Sequence, residues 1–273
     1  MNTESRNPRS YGLEKMSAHE IVRLMNEEEH TVMRALQTAE LPIAQTIERA
    51  AEAFRSGGRV IYAGAGTSGR IATMDAAEMP PTFGIESNRF IALIAGGASA
   101  GSQAIEDAED DIHAGITAVN NLNVNRHDVL IGLAASGSTP FVVSCIRHAR
   151  QKGVWTCGIA NNAHTPVLEA ADLGILLDTG PEILTGSTRL KAATAQKLAL
   201  NQISTGALVL NGKVVENLMV DVKAKNAKLK DRCARIVSDL TFATKDEARD
   251  LLEENDWNIR TVVNLLRRQP VSK

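Results

Sequence analysis

The stretch Val60–Thr82, VIYAGAGTSGRIATMDAAEMPPT, decides the fold. It opens with an apolar run, Val60-Ile61-Tyr62-Ala63, of the kind that forms a strand buried on both faces. Gly64, Gly66 and Gly69 follow, with Thr67 and Ser68 between the last two. The pattern then predicts a helix to about Met79, stopped by Pro80-Pro81, because proline lacks the N–H and its ring clashes with the preceding turn. Strand, glycine turn and helix N-terminus together make an anion site. Glycines let the backbone approach, free N–H groups point outward, and the helix dipole favours negative charge. Gly64-x-Gly66-x-x-Gly69 also matches the dinucleotide fingerprint. The acidic residue that a ribose needs about 20 residues further on is missing, however, since the apolar run from Phe90 ends in Gly96-Gly97. A phosphorylated small molecule, cradled by the two hydroxyls, fits better than NAD.

Working outward, 273 residues suffice for one large domain or a large one plus a small one. The formal net charge of −2 offers no electrostatic case for nucleic acid or an anionic membrane, and an aromatic fraction of 3% leaves little for base stacking. Cys145, Cys157 and Cys233 are far apart with no CxxC, and read as reduced thiols. No His cluster, HExxH or paired Cys/His occurs, so a metal is not expected, nor is another cofactor. The polar start MNTESRNPRSYGLEK is not a signal peptide, and no apolar run approaches the ~20 residues of a membrane span. A cytoplasmic protein is expected.

Residues 1 to about 12 read as a tail or arm. Ser17 with Glu20 makes a capping box for a first helix, and a second runs from about Ile43, after Pro42, to Arg55 before Gly57-Gly58. Beyond the central stretch, apolar strands at 89–95, 129–133, 154–159 and 173–177 alternate with helices at 100–120, 140–151 and 188–210. That alternation predicts an α/β fold, a parallel sheet flanked by helices. Val214–Leu240 reads as helical, Thr244 and Glu247 as a capping box for a short helix, and Ile259–Arg268 as a last helix.

The first and third strand–turn–helix units resemble one another: VIYAGAGTSGRIA and VLIGLAASGSTPF. Gly66, Thr67 and Ser68 of one turn and Ser136, Gly137, Ser138 and Thr139 of the other could grip one phosphate ester from two sides, at the edge where open α/β sheets place ligands. Alternatively, Ser136, Ser138 and Thr139 only cap a helix.

Two carboxylates point the wrong way. In the run Glu106, Asp107, Glu109, Asp110, Asp111, a helical wheel puts Glu109 on the stripe of Ile105, Ala108, Ile112 and Ile116, where a carboxylate is costly unless paired or used. Glu78 shares a face with Ile71, Met74 and Asp75 and would sit in the last turn before Pro80, where the dipole disfavours its charge. A third oddity is Glu182-Ile183-Leu184-Thr185-Gly186-Ser187-Thr188-Arg189-Leu190-Lys191, which puts Arg189 and Lys191 at a helix start. A bound anion or a solvent-screened end would account for them.

These residues carry a resemblance. GAGTSGR at 64–70 and DAAEMPPT at 75–82, followed by Ala95-Gly96-Gly97, Ala108-Glu109-Asp110, Ala134-Ala135-Ser136-Gly137, Leu184–Arg189 and Asn217–Asp221, closely resemble the bacterial N-acetylmuramic acid 6-phosphate etherases of the sugar-isomerase (SIS) superfamily. The glucokinase regulatory protein is a relative. The resemblance implies a SIS sandwich working as a homodimer, with segments 1–48 (arm and helices), 49–212 (SIS sugar-phosphate domain) and 213–273 (helical, UBA-like). It implies metal-free hydrolysis of the lactyl ether of MurNAc 6-phosphate to GlcNAc 6-phosphate and D-lactate. The catalytic pair falls on Glu78 and Glu109, and Glu182, Ser187 and Lys191 join the two turns as substrate-binding candidates. This sequence has Met79 where the family usually has Cys, Ala77 where Ser is frequent, Leu190 where Met is common, and Ser138 where an Arg is expected. A sugar-phosphate isomerase and a non-catalytic sugar-phosphate-binding regulator are the alternatives. A regulator needs the turns but not both glutamates.

Overall fold

Strand β1 (Val60–Gly64) is buried along its whole length because parallel neighbours flank it, β2 (Phe90–Ile94) on one side and β3 (Val129–Ala134) on the other. With β4 (Trp155–Ala160) and β5 (Leu173–Leu176) they form a wholly parallel sheet of order β2-β1-β3-β4-β5 in this computed structural model, which describes residues 2–103, 105, 107–224 and 226–268. Glu106 of the acidic run lies outside the described residues. The strand order reverses at the β1–β3 pair, the switch point at which open α/β sheets bind ligands.

Helices α1 (Ala18–Glu28), α2 (His30–Thr38) and α3 (Glu40–Arg55) precede the sheet. The Ser17–Glu20 capping box opens α1 as expected. Helix α3 starts before Pro42 rather than after it, since a first-turn N–H has no intrahelical partner to lose. The strands are joined by α4 (Gly66–Phe83), α5 (Ile112–Asn121), α6 (Pro140–Gln151) and α7 (Pro166–Ala170), and α8 (Lys191–Leu210) follows β5. Ile61, Ala63, Leu130 and Ala134 of the sheet pack with Val119, Phe141, Val142, Ile146 and Val167 from α5, α6 and α7. Each fully buried Val, Leu, Ile or Phe among them contributes about 1.5–3 kcal/mol. On α5, Gly115 permits close helix approach, as a Cβ there would lie 2.1 Å from Ser144 Oγ on α6.

Three expectations are corrected. Helix α4 does not stop at Met79 but continues through Pro80 and Pro81 to Phe83, and the Gly84 N–H closes it on the Pro80 carbonyl at 3.0 Å, with Gly84 at φ +65°. The prolines cost two N–H donors but did not end the helix, because their fixed φ is itself helical. Second, residues 100–120 are not one helix. Short 3₁₀ turns at Ala98–Gly101 and Ala108–Asp110 come first, Asp107 is left-handed (φ 60°), and Asp111 is an extended N-cap whose carboxylate accepts the Ala114 N–H (2.8 Å). The Ser, Gly and Asp residues here satisfy turns and a cap in place of a helical face. Third, 214–240 is not continuous helix: β6 (Val214–Val215) and β7 (Leu218–Met219) form a hairpin before α9 (Ala227–Leu240).

The chain forms two compact units, residues 1–77 with 88–207, and 78–87 with 208–273. The N-terminal segment, residues 1–48, thus belongs with the sheet. The second unit has its own core, in which Val220, Cys233, Val237, Leu252 and Val262 draw together α9, α10 (Lys245–Glu254) and α11 (Ile259–Arg268). The Thr244–Glu247 capping box opens α10.

Candidate active site

The two hydroxyl turns follow adjacent strands, β1 and β3, at the C-terminal edge of the sheet. At the first, the Ala65 carbonyl accepts the Gly69 N–H (3.1 Å), so the N–H groups of Gly66, Thr67 and Ser68 have no acceptor within α4. A Cβ on Gly64 would meet Gly69 N at 2.7 Å, which is why strand and helix can turn this tightly. Ser68 is buried, Thr67 half-buried and Gly66 exposed.

At the second turn, Gly137 stands at φ +78° and a Cβ there would collide with Thr165 Oγ1 at 2.3 Å. Ser136 Oγ accepts from Ser138 N–H and lies 3.2 Å from Ser138 Oγ. Thr139 is the N-cap of α6, yet its hydroxyl makes no capping bond, and Pro140 at the first helical position needs none. Capping therefore does not account for the Thr139 hydroxyl.

Glu182 is fully buried and accepts the N–H groups of Lys191 (3.2 Å) and Ala192 (2.9 Å), capping α8. Burial raises its carboxyl above the ordinary value, with those two N–H groups pulling the other way. Lys191 Nζ lies 2.6 Å from the Glu28 carboxylate, both side chains buried, so the chain itself supplies an anion for this cation. Burial pushes Glu28 up, but hydrogen bonds from Lys191 and Asn7 and the Arg9 charge outweigh it, and its carboxyl lies below the ordinary value. Arg189 precedes α8 and is exposed, and Ser187 is half-buried in the loop before it.

Glu109 stands in the short Ala108–Asp110 turn and is exposed, as are Ile105 (42%) and Ile112 (51%). The buried stripe expected to hold it does not form. Glu78 is also exposed. With α4 reaching Phe83 it lies within the helix, not in its last turn.

Two buried polar networks lie outside the residues expected to form the site. Asp75, on the inner face of α4 with Ala72, Ala76 and Met79, accepts Tyr62 Oη (2.9 Å), Asn201 Nδ2 (2.8 Å) and Ser204 Oγ (3.1 Å). Burial raises its carboxyl above the ordinary value against those three donors. Met74 and Glu78, expected on the same helix face as Asp75, are exposed instead. The other network centres on Asn162, beyond the end of β4, for which no local pattern gives a signal. Among the described residues, no group of three or more His, Cys, Asp and Glu is placed to hold a metal ion.

The glucokinase regulatory protein N-terminal SIS domain family matches residues 42–150, and the SIS domain family matches residues 108–205. Phosphoheptose isomerases from Neisseria gonorrhoeae (21% identity, TM-score 0.52) and Francisella tularensis (15%, TM-score 0.53) share the fold over 72% of this chain and 100% of theirs. The N-acetylmuramic acid 6-phosphate etherase of Lactobacillus acidophilus is 45% identical over 267 residues, covering 98% of this chain and 90% of the relative. That of Yersinia pestis is 46% identical over 264 residues, covering 97% and 90%. With the glycine–hydroxyl turns in place on a SIS-type sheet, identity of that degree over nearly the whole length shows that the chain belongs to the N-acetylmuramic acid 6-phosphate etherase family.

Proposed function

We propose that the protein cleaves the D-lactyl ether of N-acetylmuramic acid 6-phosphate, giving N-acetylglucosamine 6-phosphate and D-lactate. The observation that carries this reading is the 45% identity to an etherase over 98% of the chain. The paired turns support it: Ser68, Ser136 and Thr139 hold the phosphate, assisted by Thr67, the backbone of Gly66 and Gly137, and Ser138. In this reading Glu182, Ser187 and Lys191 complete the substrate site.

In the open-chain sugar the hydrogen on carbon 2 is acidic because it neighbours the aldehyde. Glu109 removes it, Glu78 protonates the lactate oxygen leaving carbon 3, and water adds to the unsaturated aldehyde. Positioned acid–base groups each contribute about 10²–10⁴-fold. Both glutamates are exposed, and isotope exchange tests this division of roles. In heavy water, Glu78→Ala should exchange the carbon 2 hydrogen without releasing lactate, and Glu109→Ala should do neither. Failure of the purified protein to release lactate from MurNAc 6-phosphate would sink the reading, and interconversion of aldose and ketose phosphates would favour an isomerase.

The working form in this reading is a cytoplasmic homodimer. The exposed apolar side chains Val22, Met33 and Leu41 on α1–α3 support a partner surface there. Sedimentation should give about twice the monomer mass for the native chain and the monomer mass for Met33→Glu.

A further inference from the structure

Asn162 is buried and joins two distant parts of the chain. Its Nδ2 donates to the Ala135 carbonyl (3.0 Å), the Ser136 carbonyl (3.3 Å) and Thr3 Oγ1 (2.9 Å), and its Oδ1 accepts the Thr3 backbone N–H (3.2 Å). Two carbonyls facing one end of the amide settle which end is nitrogen. Thr3 is fully buried, although Asn2, Glu4, Ser5 and Arg6 around it are exposed. Its carbonyl accepts the Gly186 N–H (3.2 Å), which ties in the loop that carries Ser187. The arm is fixed a second time at Asn7, whose Nδ2 donates to Glu28 (2.8 Å) and the Pro181 carbonyl (3.1 Å). Chain termini stay loosely ordered unless tied down. Here the ties are polar and specific, and they end on the backbone of the second hydroxyl turn.

We propose that residues 2–7 are a strap that sets the Ser136–Thr139 turn, with Thr3 and Asn162 as positioning residues for the phosphate grip. The proposal rests on reading that turn as the phosphate site. Without Thr3, the Asn162 amide loses one acceptor and one donor and is free to rotate away from the Ala135 and Ser136 carbonyls. The turn hydroxyls then lose the fixed direction on which strong anion contacts depend. Neither Thr3 nor Asn162 touches the substrate itself in this account.

Thr3→Val keeps the shape and removes the hydroxyl acceptor, Thr3→Ser restores it, and a chain in which Met1 is joined directly to Pro8 removes the strap. In Thr3→Val and in the shortened chain, the KM for MurNAc 6-phosphate and the dissociation constant of inorganic phosphate should rise together by about fivefold or more, the factor one hydrogen bond commands. The kcat should stay within about twofold, as expected of uniform binding loss, and Thr3→Ser should match the native chain. Phosphate titration by calorimetry separates this claim from the reaction. If the native chain releases no lactate but Thr3→Val still weakens phosphate, the strap stands and the etherase reading falls. Unchanged phosphate affinity in a Thr3→Val chain of native melting temperature overturns the strap, and so does weakened affinity that Thr3→Ser fails to restore. Should the shortened chain not fold, the Thr3 pair decides.

Discussion

At the scale of single residues, the hydroxyls and carboxylates differ in their surroundings. Ser68 sits in the first turn of α4 beside N–H groups without intrahelical acceptors, and Ser136 opens the turn after the neighbouring strand. Ser68→Ala and Ser136→Ala should each weaken the phosphorylated substrate by about 1–3 kcal/mol, the worth of a charge-assisted hydrogen bond, read as a raised KM. Unchanged Michaelis constants in both would remove the hydroxyls from the site. Asp75 differs in kind. Its three donors come from β1 and α8, so Asp75→Ala leaves the Tyr62 hydroxyl and the Asn201 amide short of a buried acceptor. The expected result is a loss of about 1–3 kcal/mol in unfolding free energy, measured by denaturant titration. The thiols of Cys145 and Cys157 are pushed up to about 12 by burial, which keeps them protonated and inert near neutrality.

At the scale of elements, the starts of β1 and β3 are locked together by Arg59 and Asp128. The Asp128 carboxylate takes Arg59 N–H (2.9 Å), Nε (3.1 Å) and Nη2 (2.6 Å), along with the Asn125 N–H (3.0 Å). Burial pushes this carboxyl up, but the hydrogen bonds from Arg59 and the Asn125 backbone outweigh it, and it lies below its ordinary value. A carboxyl lowered in the folded state is the more strongly ionised there. Its stabilisation is complete above the unfolded value, near pH 4, and is lost as pH falls through the folded value. Asp128→Asn should therefore cost about 1.5–3 kcal/mol at pH 7. The gap to the native chain should narrow steadily below about pH 4 in acid unfolding curves, and a gap independent of pH would show that the ion pair is not the lock.

At the scale of the whole molecule, the chain divides into a sheet-centred unit and a smaller one with a separate core. In the smaller unit Leu252 is fully buried among α9, α10 and α11, whereas Phe242, in the α9–α10 loop, is fully exposed. Leu252→Ala should destabilise that unit by about 2–5 kcal/mol, and Phe242→Ser should stay within about 0.5 kcal/mol. Calorimetry, or hydrogen exchange of α9–α11, checks both. Equal effects would mean that Phe242 is covered in the working assembly. Val220 and Val222 belong to this core. Cutting the chain near residue 225 would strip them of their cover, so removing α9–α11 would expose residues before the cut as well.

Local order was legible in the sequence alone wherever a few neighbouring residues decide the outcome. Five apolar runs became five parallel strands, two glycine–hydroxyl turns came to the ends of adjacent strands, and the Ser17–Glu20 and Thr244–Glu247 capping boxes formed. Motif spacing likewise identified the family. Tertiary structure alone decided what each polar group meets. Glu109 was expected on a buried helical stripe and stands exposed in a short turn, because the backbone turns left-handed at Asp107 and the Asp111 carboxylate caps α5 only from Ile112 onward. Lys191 finds its anion in Glu28, Asp75 finds Asn201 126 positions along the chain, and Asn162 finds Thr3 159 positions away. Strand and turn propensity act over a handful of residues, whereas the partner of a buried polar side chain is whichever group the fold brings within about 3 Å.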